Sequence, residues 1–357
     1  MRLGETPLSR ALRHGFQRTD HLRRGYGVVF DALGFGPIRT PSRILREEAG
    51  LRLHAFGGAS ASPAMLIVQA PIKRAYIWDL EPEVSVVRRC LEDGLRVYLA
   101  EWTDEGAASS FGLDRYAGRL LLASVDAIAN ETGQQRIVVA GHSLGGTLAA
   151  IFAALHPKRV RALVLLEAPT RFGASAGAFA PLVATTPASP IRNVFGAIPG
   201  SFLDVASATA SPPSFIGARW LDAIAVAGHG PRLLTHLRVE RWTCDEFALP
   251  GRLFEEVVEL LYREDRFIRG TLMVGGCKAT SHALDMPLLS VFRPRSLVVP
   301  PATILPLHAA ATNPRSRLIR YDGEYGVALQ HVGILVGREA HRRIWPEILE
   351  WIEGCCA

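Results

Sequence analysis

The 357-residue sequence predicts an α/β fold: a mostly parallel central sheet flanked by helices, with a helical lid inserted before the last strands. Three observations carry that expectation. From about residue 50, short β-rich runs alternate with helix-length segments, the rhythm of parallel strands joined by crossover helices. Gly141-His142-Ser143-Leu144-Gly145 follows the apolar run 136–140 and precedes the small, apolar segment 146–155, as a buried strand, a tight turn and a buried helix would read. At about residue 171 the alternation stops, and it resumes near 286.

Taken in order, residues 8–35 read as an amphipathic helical lead-in appended to the sheet and broken by Gly36-Pro37 and Thr40-Pro41-Ser42, which sets a first segment at 1–45. The core's first part, 46–170, holds strand-like runs at 51–56, 65–68, 95–100, 136–140 and 160–166, with helices expected around 85–93 and 113–131. Residues 171–285, rich in Ala, Pro, Ser and Gly and then helical at 252–262, read as a lid, because the ligand crevice of such sheets lies outside the carboxyl ends of the strands. The second core part, 286–357, has strands at 287–292 and 316–321 and a last helix over 338–353. Phe179, Phe202, Phe215, Trp220 and Phe247 in the lid are expected to line an apolar pocket.

Composition narrows the function classes. With 48% hydrophobic and 21% charged residues, the chain has the make-up of a globular protein with a sizeable core. The net charge is +6 and the arginines are scattered apart from Arg10, Arg13, Arg18, Arg23 and Arg24, which argues against nucleic acid as a partner. Five cysteines at 90, 244, 277, 355 and 356 form neither a metal-ligand spacing nor a disulfide framework, so a cytoplasmic location and no metal are expected. No leader is read behind Met1, and no run reaches the ~18 apolar residues of a membrane span.

The glycine-flanked serine reads as a nucleophile elbow, the strained turn that lifts a hydroxyl above the sheet in the α/β-hydrolase fold. A hydroxyl needs a base to take its proton, and in that fold the base comes last in the chain, in the loop after the final strand. His331 has that order and a turn-like setting, with His341 second. The oxyanion needs two backbone donors: Leu144, directly after the serine, and Ile72 in the turn Ala70-Pro71-Ile72, where Pro71 has no N–H to give. The orienting acid is missing from its usual place after the seventh strand, since residues 292–301 contain no carboxylate. Glu167, ending the sixth strand, is the nearest substitute, with Asp322 and Glu324 behind it.

Longer stretches carry a resemblance. Tyr76-Ile77-Trp78-Asp79-Leu80-Glu81-Pro82, Ser85-Val86-Val87-Arg88-Arg89, a run ending in Trp102, Arg241-Trp242-Thr243-Cys244-Asp245, Pro250-Gly251-Arg252-Leu253-Phe254, Leu261-Tyr262, Val299-Pro300-Pro301 and His331-Val332-Gly333 fall in the order seen in polyhydroxyalkanoate synthases. The chain resembles their short class over roughly residues 40–340. The resemblance implies an acyl ester or hydroxyacyl-coenzyme A substrate, no cofactor, and either a homo-oligomer or a synthase-type second subunit. It departs at two positions: Ser143 stands where the synthases carry their cysteine nucleophile, and Ser296 where they carry aspartate.

A polymerase passing a chain between thiols relies on a soft nucleophile, whereas serine suits oxyester chemistry. The expected activity is therefore that of a serine hydrolase or acyltransferase working through an acyl-Ser143 intermediate. A synthase-type acyltransferase that uses serine, and a degenerate synthase-like subunit that only binds, are the alternatives.

Overall fold

The computed structural model describes residues 6–57, 62–103, 110–245 and 247–356. Residues 1–5, part of the segment read as carrying no leader, lie outside them. Eight strands make the central sheet: β1 (Arg43–Glu48), β2 (Leu51–Ala55), β3 (Ala64–Val68), β4 (Arg96–Trp102), β5 (Ile137–His142), β6 (Val160–Leu166), β7 (Leu288–Phe292) and β8 (Arg317–Arg320). Their order is β1-β2-β4-β3-β5-β6-β7-β8, antiparallel at β1–β2 and β2–β4 and parallel beyond.

The parallel strands are apolar throughout because both faces are covered. Leu66, Val68, Val139, Leu163 and Leu165 point into one core with helices α3 (Leu121–Thr132) and α4 (Leu144–Leu155). Met65, Ile67, Val138, Val164 and Leu166 point into the other, with α2 (Val86–Glu92) and the C-terminal helix Trp345–Cys356. Edge strand β1 reads Arg-Ile-Leu-Arg-Glu-Glu and is exposed along much of its length, which is why its pattern gives no strand signal. It begins at Arg43, so the boundary expected after residue 45 cuts through it.

The lead-in is one helix, α1 (Pro7–Ala32), capped by the Thr6 side chain. It does not append to the sheet as expected. It packs on the insertion: Phe16 meets Phe195 and Phe202 edge-on, Asp20 accepts the Ser201 amide at 2.9 Å, and Arg241 pairs with Asp31 at 2.7 Å. The insertion is built from α5 (Phe179–Thr185), α6 (Ala188–Phe195), α7 (Gly200–Ala210), α8 (Ala218–Val226), α9 (Gly230–Thr243) and α10 (Gly251–Glu256). Its tail packs on the core, where Leu272, Val274, Ala279 and Leu284 join the α4 side.

The segments that carry the synthase resemblance clamp the insertion to the core. Tyr76 donates to Asp245 at 2.8 Å, Trp242 donates to the Arg74 carbonyl at 2.8 Å, and Glu81 is ion-paired with Arg238. Asp79 accepts from Thr40 and Ser85, tying the chain ahead of β1 to the same segment.

Candidate active site

Ser143 leaves β5 with φ 53° and ψ −133°, a conformation that L residues seldom adopt, and its amide donates to the Leu166 carbonyl at the end of β6. The turn exists because its neighbours lack side chains: a Cβ on Gly145 would sit 2.7 Å from the Ala70 amide nitrogen, and one on Gly141 would sit 2.6 Å from the Gly146 Cα. Helix α4, buried along nearly its whole length, then holds the elbow against the sheet.

The Leu144 amide lies in the first turn of α4, where N–H groups have no intrahelical acceptor. The Ile72 amide is already engaged, donating to the Ala70 carbonyl at 2.8 Å in a three-residue turn. Trp102 steadies that turn from below by donating to the Gln69 carbonyl at 2.6 Å.

Glu167 follows β6 directly, is completely buried, and has φ 41°. Its Oε2 lies 3.7 Å from His331 Nδ1 and 3.8 Å from Arg293 Nε. Those separations exceed a hydrogen bond, and both Glu167 oxygens, His331 Nδ1 and Arg293 Nε are buried without a hydrogen-bond partner among the described residues. Burial pushes the Glu167 carboxyl up to about 7, against the opposing pull of Arg293, His142 and the Ser296 hydroxyl. Burial, with Arg293 adding to it, takes the His331 imidazole down to about 4. Near pH 7 the imidazole is thus neutral, able to take a proton, beside a carboxyl at its ionisation midpoint.

His142 was not singled out by the sequence, yet it connects the two halves of the site. Its Nε2 donates to the His331 carbonyl at 2.7 Å, and the two rings lie 4.5 Å apart. Burial holds its ring at about 3, so it stays a neutral donor. The elbow and the His331 loop are therefore pinned to each other at the residue before the serine. The middle position of the Gly-His-Ser turn was the available signal.

The remaining acid and base candidates are occupied elsewhere. His341 is a core histidine, with Nε2 donating to the Leu335 carbonyl at 2.8 Å and its ring stacked on Trp345. Asp322 is exposed and pairs with Arg320. Glu324 accepts the Glu339 and Ala340 amides at 2.8 and 2.9 Å and the Tyr321 hydroxyl, as a carboxylate capping a helix start. Ser296 is buried at the β7 end, where its Oγ accepts the Val299 amide at 3.1 Å.

The aromatic lid residues do not gather into one wall. Phe202 packs on Phe16 and Phe195, Phe179 on Phe215 and Tyr262, Phe247 under Arg74, and Trp220 is 69% exposed. A cavity of about 570 Å³ instead opens between the insertion, at Ala178, Ser211 and Pro212, and the β7 end, at Pro294, Ser296 and Leu297. Its walls are small and mostly apolar, and neither Ser143 nor His331 lines it.

The strand order and the turn at the end of β5 give the α/β-hydrolase fold class, and residues 51–215 match the family model described as alpha/beta hydrolase fold. Among solved structures, the enol-lactonase of Burkholderia xenovorans shares the fold at a TM-score of 0.53 and 15% identity, covering 88% of this chain and 100% of that one. Within the class, the chain is similar over most of its length to poly(3-hydroxyalkanoate) polymerase subunits. It is 28% identical to that of Haloferax mediterranei across 88% of this chain and 64% of the relative, and 26% identical to that of Thiocystis violacea across 94% of each. The chain thus spans less than two thirds of the Haloferax subunit. No described helix is long and apolar enough to cross a membrane.

Proposed function

We propose that the chain is a serine-dependent acyl-transfer enzyme, acting on an acyl ester or a hydroxyacyl thioester through an acyl-Ser143 intermediate. The observation that carries this reading is the buried Glu167–His331 pair, 3.7 Å apart and pinned to the serine turn through His142. A chain that only binds gains nothing from a completely buried carboxyl whose burial is only partly offset, which is costly to keep.

In this mechanism His331 takes the Ser143 proton as the hydroxyl attacks the acyl carbonyl. Glu167 holds the imidazole by Nδ1 and stabilises the imidazolium as it forms. The Leu144 amide meets the developing oxyanion. The second donor comes from the 70–72 turn, where the oxyanion has to compete with the Ala70 carbonyl for the Ile72 N–H. Collapse expels the leaving group, which His331 protonates, and a second pass delivers the acyl group to water or to an alcohol. The insertion acts as a lid over this crevice.

A polymerase-type transfer, in which the acceptor is the hydroxyl of a growing chain, is the second reading. It draws on the similarity to polymerase subunits across 88% of this chain, and it brings with it a second copy or a second subunit as partner. The five free thiols fit a reducing compartment such as the cytoplasm.

Intact-mass analysis after a fluorophosphonate probe tests the nucleophile. One adduct per chain, absent from Ser143→Ala, is expected; an unlabelled wild type removes the enzymatic reading. Incubation with 3-hydroxybutyryl-coenzyme A then separates the acceptors, since free acid marks transfer to water and oligomer marks transfer to a chain end.

A further inference from the structure

The loop that presents His331 is fastened from outside the sheet. Between β8 and His331 the chain passes through the left-handed region at Gly323 (φ 86°), Gly326 (φ 96°) and Ala328 (φ 55°), the last a strained conformation for a residue with a Cβ. The amides at the last two positions donate to one side chain, the carboxylate of Asp222 on helix α8 of the insertion: Gly326 to Oδ1 and Ala328 to Oδ2, each at 2.8 Å.

Asp222 is itself 1% exposed, and its Oδ2 also accepts His236 Nδ1 from α9 at 2.7 Å. Behind His236, Glu240 pairs with Arg219, so the bracket is braced across α8 and α9. Burial alone would raise the Asp222 carboxyl, but the His236 hydrogen bond and the two amides carry it below the usual carboxylate range. A buried carboxylate that accepts three hydrogen bonds, two of them from backbone three and five residues ahead of His331, has geometry suited to fixing that loop.

We propose that Asp222 is a positioning residue of the active site: a carboxylate supplied by the insertion that holds the 326–328 turn and, through it, sets the His331 ring between Glu167 and Ser143. The inference rests on the reading of His331 as base. It makes the insertion a working part of the catalytic geometry as well as a cover. Asp222 is 1% exposed and holds the 326–328 turn, so its effect on the site is expected to run through His331.

The test measures the rate of Ser143 labelling by a fluorophosphonate, with kcat and KM for a p-nitrophenyl ester, on the full chain. Asp222→Ala lets the turn relax, and a displacement of the base by about 1 Å lowers the labelling rate and kcat on the order of 10²-fold while KM stays near wild type. Asp222→Asn keeps an acceptor for one amide and loses less.

A merely structural role is separated by the pair with His331→Ala. If Asp222 acts through His331, adding Asp222→Ala to that variant leaves its residual labelling rate unchanged. An equal fall in both backgrounds overturns the proposal. Should Asp222→Ala not fold, His236→Leu, which removes one of the three donors, gives the same pattern at smaller size, and wild-type turnover in that variant overturns the proposal. A loss at His331→Ala with none at Asp222→Ala rejects the positioning role and leaves the base reading intact. No loss at either rejects both.

Discussion

The ends of β6 and β7 lie side by side on the same edge of the sheet and carry opposite chemistry. β6 ends in Glu167, completely buried, at positive φ and 3.7 Å from His331 Nδ1. β7 leads into Arg293, whose guanidinium reaches toward Glu167, and into the turn holding Ser296, whose hydroxyl accepts the Val299 amide and favours the Glu167 carboxylate. Where the synthase resemblance puts an aspartate, this chain supplies a neutral cap and a cation, and the neighbouring strand end supplies the carboxylate. Two adjacent parallel strand ends open onto one crevice, so an acid on either can face the same imidazole. What differs is its surroundings. At the β6 end the carboxyl is completely buried and hard to ionise, and Arg293 offsets only part of that cost.

The comparison breaks most severely at Glu167. If Glu167 is the acid of the proposed mechanism, replacing it with Gln removes the charge that would stabilise the imidazolium, and kcat is expected to fall on the order of 10⁴-fold with KM little changed, as when the acid of a serine-protease triad is neutralised. Steady-state kinetics on an ester substrate checks this; a fall of less than tenfold would place the acid elsewhere. Adding Ser296→Asp to that variant puts a carboxylate at the other strand end, and a recovery of roughly 10- to 100-fold is expected from restoring one properly placed partner. No recovery would mean that the two strand ends are not interchangeable.

Stability responds in the opposite sense to activity. The folded carboxyl titrates at about 7, above its ordinary value of 4.5, so the fold pays for ionising it above pH 7 and is relieved as the pH falls through 7 towards 4.5. Glu167→Gln is therefore expected to be more stable than wild type at pH 8, by an amount on the order of 3 kcal/mol at most. The gap closes by pH 4.5. Urea unfolding at the two pH values measures it, and a variant less stable at pH 8 contradicts the burial argument. The smallest effect is a shift of position: in wild type kcat/KM should rise with pH through a limb near 7 as Glu167 ionises, and Arg293→Gln, by removing the cation that favours the carboxylate, should move that limb to higher pH. A limb that stays put would show that Arg293 does not act on Glu167.

What was legible in the sequence was local. The elbow could be read because strand, glycines and apolar helix are contiguous, and Glu167 and Leu144 because they abut a strand end and the serine. His331 is expected from chain order and a turn-like setting, and it lies 3.7 Å from Glu167. The partners that hold these groups are remote: Arg293 stands 126 residues from Glu167, and Asp222 stands 104 and 106 residues from the amides it binds. No periodicity announces such pairings. The same limit explains α1, whose amphipathic pattern shows that it packs on something but not that the surface is the insertion. It also explains the aromatics of the insertion, where Phe202 packs on Phe16 and Phe179 on Phe215.

The pairing of Glu167 with His331 is tested most directly by a crystal structure of the enzyme carrying a phosphonate on Ser143, where His331 is protonated and the charge on Glu167 is in demand. The account predicts that the Nδ1 to carboxylate distance contracts from 3.7 Å to a hydrogen bond of about 2.6–3.2 Å, with Ser296 still capping Val299. A His331 Nδ1 that turns instead to another carboxylate, or to a carbonyl, with Glu167 left apart, would contradict it.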